Sequence, residues 1–292
     1  MSPIQVLCAV LVPMIWGLQF VVVKVALAEF PPLFLLGLRF AAIAMLLLPF
    51  VGMPRKGELR PMLLISLFMG GLNFSLAFTG LAHGAASSAG VAIQLTTPFA
   101  VLFAWPLLGE RLSLRMVMGM TTAFVGVALT IAGPSTGAIL PTLLVAGSAL
   151  SLAIGSVLVK RDGPFEPMKL LAWMSLFTVP QVLLMSAFVE HGQISSLHTA
   201  TVHGWLALLY TIVLGGITAF GLWFWLIASC SMSRVAPYAL LQTVFAVVSG
   251  ILFLNEPLTT PLLAGMLTCI AGVAITQRAP TRSTIALNTP GR

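Results

Sequence analysis

The chain has 292 residues, of which 59% are hydrophobic and only 7% are charged, and its formal net charge is +7. Soluble domains carry about 25% charged residues, so this composition excludes an ordinary soluble protein. The positive charge does not indicate nucleic-acid binding, because the basic residues lie in short gaps between apolar runs, where they set membrane orientation. Cys8, Cys230 and Cys269 lie in apolar runs without metal-ligand spacing, so we expect packed thiols and no metal.

Ten apolar runs are long enough to cross a bilayer, since one crossing needs about 20 mostly apolar residues. They cover 4–28, 31–53, 61–81, 85–107, 112–132, 140–160, 167–189, 204–228, 234–254 and 258–277. We expect helices, because a spanning segment must satisfy its backbone hydrogen bonds internally. The first run lacks the basic leader of a signal peptide, so we expect it to remain as a span. The predicted fold class is an all-α integral membrane protein with ten transmembrane helices.

The positions of the basic residues predict the orientation. With the N-terminus in the cytoplasm, every lysine and arginine falls on an inner segment except Lys24 and Arg39, which lie inside the first two spans. Such an excess on one side identifies the cytoplasmic face. We therefore expect both termini inside, with 279–292 as a disordered cytoplasmic tail.

One stretch occurs twice in the chain. Phe99–Thr130 and Phe245–Thr276 align without a gap, and the alignment matches Glu110 with Glu256. Each copy is an apolar run, a short polar break and a second apolar run, which indicates an internal repeat. We expect two repeats of five helices, 1–133 and 134–278.

An odd number of helices in each repeat places the second repeat upside down relative to the first. Inverted repeats are typical of secondary transporters, whose binding site lies near the bilayer midplane between the two halves. The sequence therefore predicts a site where the two repeats meet.

Four short motifs give the chain a resemblance to the EamA family of the drug/metabolite transporter superfamily. They are Trp16-Gly17-Leu18-Gln19-Phe20 followed by Lys24, then Gly37-Leu38-Arg39-Phe40, then Pro98 through Leu108-Gly109-Glu110-Arg111-Leu112, and Leu254-Asn255-Glu256-Pro257-Leu258. The resemblance implies a ten-helix exporter of amino acids or related metabolites in a bacterial inner membrane, with YddG-like amino-acid exporters among its relatives. The family often has proline where this chain has Val244, so the sequence leaves open whether the ninth helix is kinked.

Polar side chains near the middle of a span are the natural substrate-binding candidates, since lipid offers them no partner. We select Trp16, Gln19, Arg39, Asn73, Gln94, Thr97, Tyr238 and Gln242. The alternative for each polar residue is an ordinary hydrogen bond between helices. For Arg39 the alternatives are a substrate carboxylate, or Glu29 or helix-end carbonyls as a structural partner. Lys24 lies near a helix end, where it can extend to the interface.

Two repeated features favour structural roles. Glu110 and Glu256 precede the fifth and tenth helices, and we expect them to cap those helices, because an acidic side chain suits a helix N-terminus. The pairs Gly119/Gly126 and Gly265/Gly272 permit either close helix packing or pairing of protomers. We expect a monomer or a weak homodimer.

Two other functions are open from the sequence. A membrane-embedded enzyme is disfavoured, because His191, His198 and His203 share one outer segment but lack the ligands of a metal site or a nucleophile. A transporter of a drug, nucleotide sugar or phosphorylated metabolite is the second alternative, although polyanions favour several basic groups.

The mid-span regions contain no carboxylate or histidine, so the sequence predicts facilitated diffusion rather than proton coupling. The expected partners are a small-molecule substrate and the lipid bilayer. We expect no cofactor and no nucleic acid.

Overall fold

The structure is a computed structural model that describes residues 1–109, 112–132, 139–230 and 232–277. At residues 232, 233 and 236 it describes the backbone but not the side chain. In the described residues ten helices have the length and composition of membrane spans, and no strand occurs. They are α1 Pro3–Leu27, α2 Pro32–Phe50, α3 Leu59–His83, α4 Ala86–Leu108, α5 Leu114–Ile131, α6 Ile139–Asp162, α7 Pro167–Val189, α8 Val202–Ser229, α9 Met232–Leu254 and α10 Thr260–Gln277. In α9, which joins Met232–Ala239 and Leu241–Leu254, the part with the length and composition of a span is Pro237–Leu254. The predicted all-α fold with ten spans is confirmed. The predicted tail 279–292 and Glu110 lie outside the described residues.

Ten crossings bring the start of α1 and the end of α10 to the same side. We call this side, which carries Pro3 and Gln277, the terminal face, and the other side the opposite face. A short helix, Gln193–Thr199, lies in the connection between α7 and α8 at the opposite face.

Four of the spans are interrupted. α4 contains a 3₁₀ turn at Ile93–Leu95, and the cause is Pro98, which lacks an N–H for the Gln94 carbonyl and crowds it with its ring. α9 is also interrupted, at Leu240, although position 244 is a valine and not the proline that would cause such a break. At this point the Leu240 N–H donates to the Pro237 carbonyl at 3.2 Å. The other two interruptions are π-helical, at Ser66–Leu72 in α3 and Val213–Thr218 in α8.

The contacts between helices follow the internal repeat. α1 packs against α8 and α9, and its counterpart α6 packs against α3 and α4. α2 packs against its counterpart α7, and α5 packs against its counterpart α10. The two inverted repeats therefore share one framework, in which each contact has a partner related by the repeat.

The repeated glycines hold α5 against α10. A Cβ atom at Gly119 would lie 2.7 Å from the Gly272 carbonyl oxygen, and one at Gly265 would lie 2.6 Å from the Gly126 oxygen. Real Cβ atoms do not approach backbone this closely, so only glycine permits the contact. Of the two roles that the sequence left open, these glycines perform packing within the chain.

The buried apolar side chains form two separate clusters. The larger one involves all ten spans. The smaller one joins the terminal-face portions of α1, α8 and α9, through Ala9, Val12, Ile15, Ala219, Leu226 and Val235. In the half of the bundle near the terminal face, these three helix portions therefore form an apolar cluster that is separate from the main core.

The α5–α10 contact yields a stability prediction. Gly126→Ala should lower the melting temperature, because the new methyl group would lie 2.7 Å from the Cys269 Cα atom and neither backbone can withdraw. Overpacking costs about 1–3 kcal/mol, which exceeds the roughly 1 kcal/mol gained from alanine's higher helix propensity. Thermal unfolding of the purified protein in detergent measures the effect.

Gly221→Ala in α8 is the matched control, because a Cβ atom there meets nothing within 4 Å. This variant should melt at or above the temperature of the parent. A Gly126→Ala protein as stable as the Gly221→Ala protein would contradict the packing assigned to α5 and α10.

Candidate functional site

A layer of polar side chains crosses the middle of the helix bundle. Its members lie about 10–15 Å from the ends of their helices at the opposite face, at 1.5 Å of rise per residue. The hydrocarbon core of a bilayer is about 30 Å thick, so this layer is near the midplane. It contains Gln19 of α1, Arg39 of α2, Asn73 of α3, Gln94 of α4 and Gln181 of α7.

Each of these five residues has at least one buried polar atom without a hydrogen-bond partner in the described part of the chain. The atoms are Gln19 Oε1, Arg39 Nε and Nη1, Asn73 Oδ1, Gln94 Nε2 and Gln181 Oε1. Leaving such a group unpaired costs about 1–3 kcal/mol, and more if it is charged. An accumulation of unpaired donors and acceptors at one depth is typical of a site that receives a polar ligand.

The π-helical segments of α3 and α8 shape this layer. Each contains a Gly-Gly pair, Gly70-Gly71 in α3 and Gly215-Gly216 in α8. The glycines leave room for amide side chains from neighbouring helices, so that Gln181 Oε1 lies against Gly71 and Gln19 Oε1 lies against Gly215. The glycines lie in corresponding segments of the two repeats, whereas the glutamines come from α7 and α1, which are not counterparts.

Side chains also satisfy carbonyl groups that lie beside these segments. The Trp16 indole Nε1 donates to the Gly215 carbonyl at 3.2 Å, and the Ser151 hydroxyl donates to the Phe68 carbonyl at 2.8 Å. The wider π turn displaces carbonyl groups from the regular helical pattern, and π segments occur frequently at functional sites. The interruptions in α3 and α8 are therefore built into the fold by specific contacts.

Asn73 follows the π segment of α3 directly. Its Nδ2 donates to the Met69 carbonyl at 3.1 Å, which fixes the side chain and leaves Oδ1 as an unpaired acceptor. The amide nitrogen is thus engaged by the helix itself, and the buried oxygen is the atom of this side chain that lacks a partner.

α4 and α9 meet in their halves near the opposite face. The Thr243 hydroxyl donates to the Gly90 carbonyl at 3.0 Å, and Gly90 lies directly against the Ala246 side chain. Gln94 is one turn further along α4, at the 3₁₀ interruption, with its Nε2 unpaired. The interruption caused by Pro98 thus coincides with one of the unpaired donors.

The remaining predicted site residues are half-buried. They are Trp16, Thr97, Tyr238 and Gln242. The backbone of Gln242 is close to α1, since a Cβ atom at Gly17 would lie 2.8 Å from the Gln242 oxygen. The Trp16 ring centroid is 5.3 Å from that of Phe220 and 5.7 Å from that of Trp223, and both Trp16 and Tyr238 pack on the smaller core cluster.

Arg39 is the charged member of the layer and is only 1% exposed. Its guanidinium carbon lies 4.5 Å from the ring centroid of Phe74 and 5.5 Å from that of Phe40. Glu29, the structural partner that the sequence suggested, accepts hydrogen bonds from Thr201 instead. Two aromatic rings therefore lie against Arg39, and Glu29, one of the alternatives that the sequence left open, is engaged elsewhere.

The helix caps at the opposite face correct one prediction. Glu256 does not cap α10, because its two carboxylate oxygens accept from the Ala86 and Ser87 N–H groups at 2.7 and 2.9 Å and so cap α4. Lys24 donates to the Gly84 carbonyl at 2.6 Å, and its Nζ is 3.9 Å from the Glu256 carboxylate. The turn after α9 brings Glu256 back over the neighbouring helix, which the repeat alone does not reveal.

Two more carboxylates tie the repeats together at this face. Glu190 at the end of α7 accepts from the Leu33 and Phe34 N–H groups at 2.7 and 3.0 Å and caps α2. The Thr201 side chain is the main cause of a lowered pKa of the Glu29 carboxyl, which lies in a connecting loop. A folded pKa below the unfolded value stabilises the fold above the ordinary carboxyl pKa, and this contribution is lost as the pH falls through the folded pKa.

Sequence reasoning missed Gln181 and the two π segments. The available signal was the Gly-Gly pair, which appears at corresponding places in the two repeats at Gly70-Gly71 and Gly215-Gly216. Among the described residues, no three histidine, cysteine or acidic side chains come together as metal ligands. The layer instead offers amide and guanidinium groups, which are able to bind a polar solute by hydrogen bonds and charge.

Comparisons with known proteins agree with this architecture. A model of the EamA-like transporter family matches residues 3–132 and 139–278. A protein of Salmonella typhimurium described as a probable amino-acid metabolite efflux pump is 32% identical over 277 residues, or 91% of this chain and 92% of that protein. A protein of Escherichia coli with the same description is 31% identical over the same shares, and the uncharacterized transporter YvbV of Bacillus subtilis is 31% identical over 89% of this chain and 87% of its own.

One solved crystal structure has the same fold, with a TM-score of 0.62 at 20% sequence identity over 94% of this chain and 96% of the other. The fold, the ten apolar helices and the family match over nearly the whole length lead to one conclusion. The chain is a multi-pass membrane protein and belongs to the EamA-like transporter family.

Proposed function

We propose that this transporter exports amino acids or related small zwitterionic metabolites by alternating access, without coupling to an ion gradient. The observation that carries the proposal is the mid-membrane layer in which Gln19, Arg39, Asn73, Gln94 and Gln181 keep unpaired polar atoms. A bound polar solute would supply the partners that these atoms lack in the described structure.

The kinds of unpaired atom suit a zwitterion. Arg39 and Gln94 offer N–H donors, whereas Gln19, Asn73 and Gln181 offer amide oxygens. Donors suit a carboxylate and amide oxygens suit an ammonium group. In this layer Arg39 is the one basic side chain, so a solute with several negative charges would lack partners.

The relatives support the same solute class. Two proteins described as probable amino-acid metabolite efflux pumps share 32% and 31% of their residues with this chain over more than nine-tenths of its length. Fold alone does not define a substrate, so the support depends on the polar layer as well as on the relatives.

The packing of α4 and α9 supports alternating access. Near the opposite face they touch each other through Gly90, Thr243 and Ala246. Towards the terminal face they pack on different partners, with Thr96–Leu108 on α6 and Met232–Ala239 on α1. We infer that this arrangement is closed at the opposite face, and that its inverted counterpart would be closed at the terminal face.

The positions of the acidic residues support facilitated diffusion. In the described structure Glu29, Glu190 and Glu256 bind backbone N–H groups at helix ends, and Glu58 pairs with Lys169 at 3.0 Å. None lies in the polar layer, so substrate binding has no nearby carboxyl group from which to displace a proton. The gradient of the solute itself would then drive export.

We place the protein in the bacterial inner membrane, with the terminal face towards the cytoplasm. The support is the arrangement of basic residues, since lysines and arginines near the spans collect on the cytoplasmic side. Arg55, Lys56, Lys160 and Lys169 all lie in or beside connections at the terminal face.

Transport by purified protein tests the function. Proteoliposomes loaded with unlabelled amino acids should take up a ¹⁴C-labelled mixture of protein amino acids by counterflow, and uptake should end at equilibrium without a pH or sodium gradient. Liposomes without protein provide the background. Accumulation of a net-neutral amino acid above equilibrium under an imposed pH gradient would contradict facilitated diffusion, and no counterflow with any amino acid would contradict the solute class.

Labelling of introduced cysteines tests the orientation. In a background where Cys8, Cys230 and Cys269 are replaced by alanine, Ser195→Cys should react with a membrane-impermeant maleimide added to intact cells. Gly57→Cys should react only after the membrane is opened. Both positions are exposed in the structure, so access across the membrane decides the result. The reverse pattern would overturn the orientation.

A further inference from the structure

We infer that Arg39 is the carboxylate-binding residue of this transporter, and that its substrates must carry a free carboxylate. The inference rests on the proposed function, since it names the chemical group by which the amino acid is recognised. It follows from the burial of Arg39, from its N–H groups without partners and from the places where the acidic side chains are engaged.

Arg39 is buried by protein and does not reach the membrane surface. It is 1% exposed and lies about 10 Å along α2 from Pro32. A basic side chain that served only to meet a lipid phosphate would extend to the interface and remain accessible there. Arg39 therefore places a positive charge in the bundle interior.

The aromatic neighbours of Arg39 satisfy only part of its bonding capacity. Phe74 and Phe40 lie against the guanidinium at 4.5 and 5.5 Å and attract its positive charge. An aromatic ring offers no conventional hydrogen-bond acceptor to the N–H groups, which point outward in the plane of the guanidinium. Nε and Nη1 accordingly have no partner among the described residues.

No described carboxylate neutralises Arg39. Each of the three acidic groups at the opposite face is engaged at a helix end, with Glu29 on Thr201, Glu190 on Leu33 and Phe34, and Glu256 on Ala86 and Ser87. The other described acids, Glu58, Asp162 and Glu166, belong to connections or helix ends at the terminal face.

The missing partner has a defined chemistry. A guanidinium presents N–H donors in a planar fork that matches the two oxygens of a carboxylate. One guanidinium also balances one negative charge, so a single carboxylate fits better than a phosphate monoester or a polyphosphate, which carry more negative charge.

This role predicts an unusual combination of effects for Arg39→Met. Because a buried charge without a counterion does not stabilise a fold, the substrate-free variant should melt at or above the temperature of the parent. The same variant should transport amino acids at least on the order of thirtyfold less well, because the carboxylate loses its charged partner. Arg60→Met is the matched control, since Arg60 is exposed at the start of α3.

The decisive readout is discrimination between acids and amides. Counterflow of the ¹⁴C-labelled amino-acid mixture by the parent should be inhibited by unlabelled amino acids and not by the corresponding amino-acid amides. Arg39→Met should lose this difference, Arg39→Lys should retain it with weaker binding because the fork is gone, and Arg60→Met should behave as the parent.

A second measurement separates this inference from the proposed function. Short monocarboxylates, added as the sodium salts of acetate, propionate and lactate, should raise the melting temperature of the parent relative to sodium chloride but not that of Arg39→Met. If monocarboxylates raise the melting temperature of the parent in this way but no amino acid is transported, Arg39 binds anions as inferred and the proposed function is rejected. Arg39→Met that keeps the preference for acids, or that melts more than about 5 °C below the parent, would overturn the role of Arg39.

Discussion

The absence of water from the bilayer core is the constraint on which the structure depends, because every polar group inside a span must find its partner within the protein. Most of the groups follow this rule. Glu256 and Glu190 cap α4 and α2, the Trp16 indole binds the Gly215 carbonyl, and the Thr243 hydroxyl binds the Gly90 carbonyl. Against this background the unpaired atoms of the mid-membrane layer are exceptions that indicate a site.

The internal repeat connects this site to the framework. The glycines of α5 and α10 hold the two repeats together over one long contact, while the close contact of α4 and α9 lies near the opposite face. A fixed contact and a separable one are both needed if the path to the site is to open on alternate sides. The π segments of α3 and α8 lie beside the polar layer in both repeats, so the same local distortion serves each half.

The sequence predicted the features that depend on local pattern. Apolar runs gave the ten spans, and the repeated glycines indicated a close contact between helices, because both signals lie in the composition of single segments. The cap formed by Glu256 was assigned to α10 and not to α4, since it depends on how the chain turns after α9. The π segments were missed because a wider turn leaves no mark on apolar composition. Glu29, one of the alternatives that the sequence left open for Arg39, binds Thr201, and this contact depends on how the chain folds. Gln94 and Asn73 were selected for their depth in the membrane, and their unpaired atoms depend on tertiary contacts that depth does not specify.

The central claim is that the unpaired groups of the polar layer are completed by a bound zwitterion. An experimental structure of the transporter in lipid nanodiscs, determined with and without a saturating amino acid that it transports, tests this claim most directly. The account predicts solute density in the layer, with the carboxylate within hydrogen-bonding distance of Arg39 and the ammonium group facing amide oxygens. Density for the solute elsewhere, with Arg39 unchanged between the two structures, would contradict it.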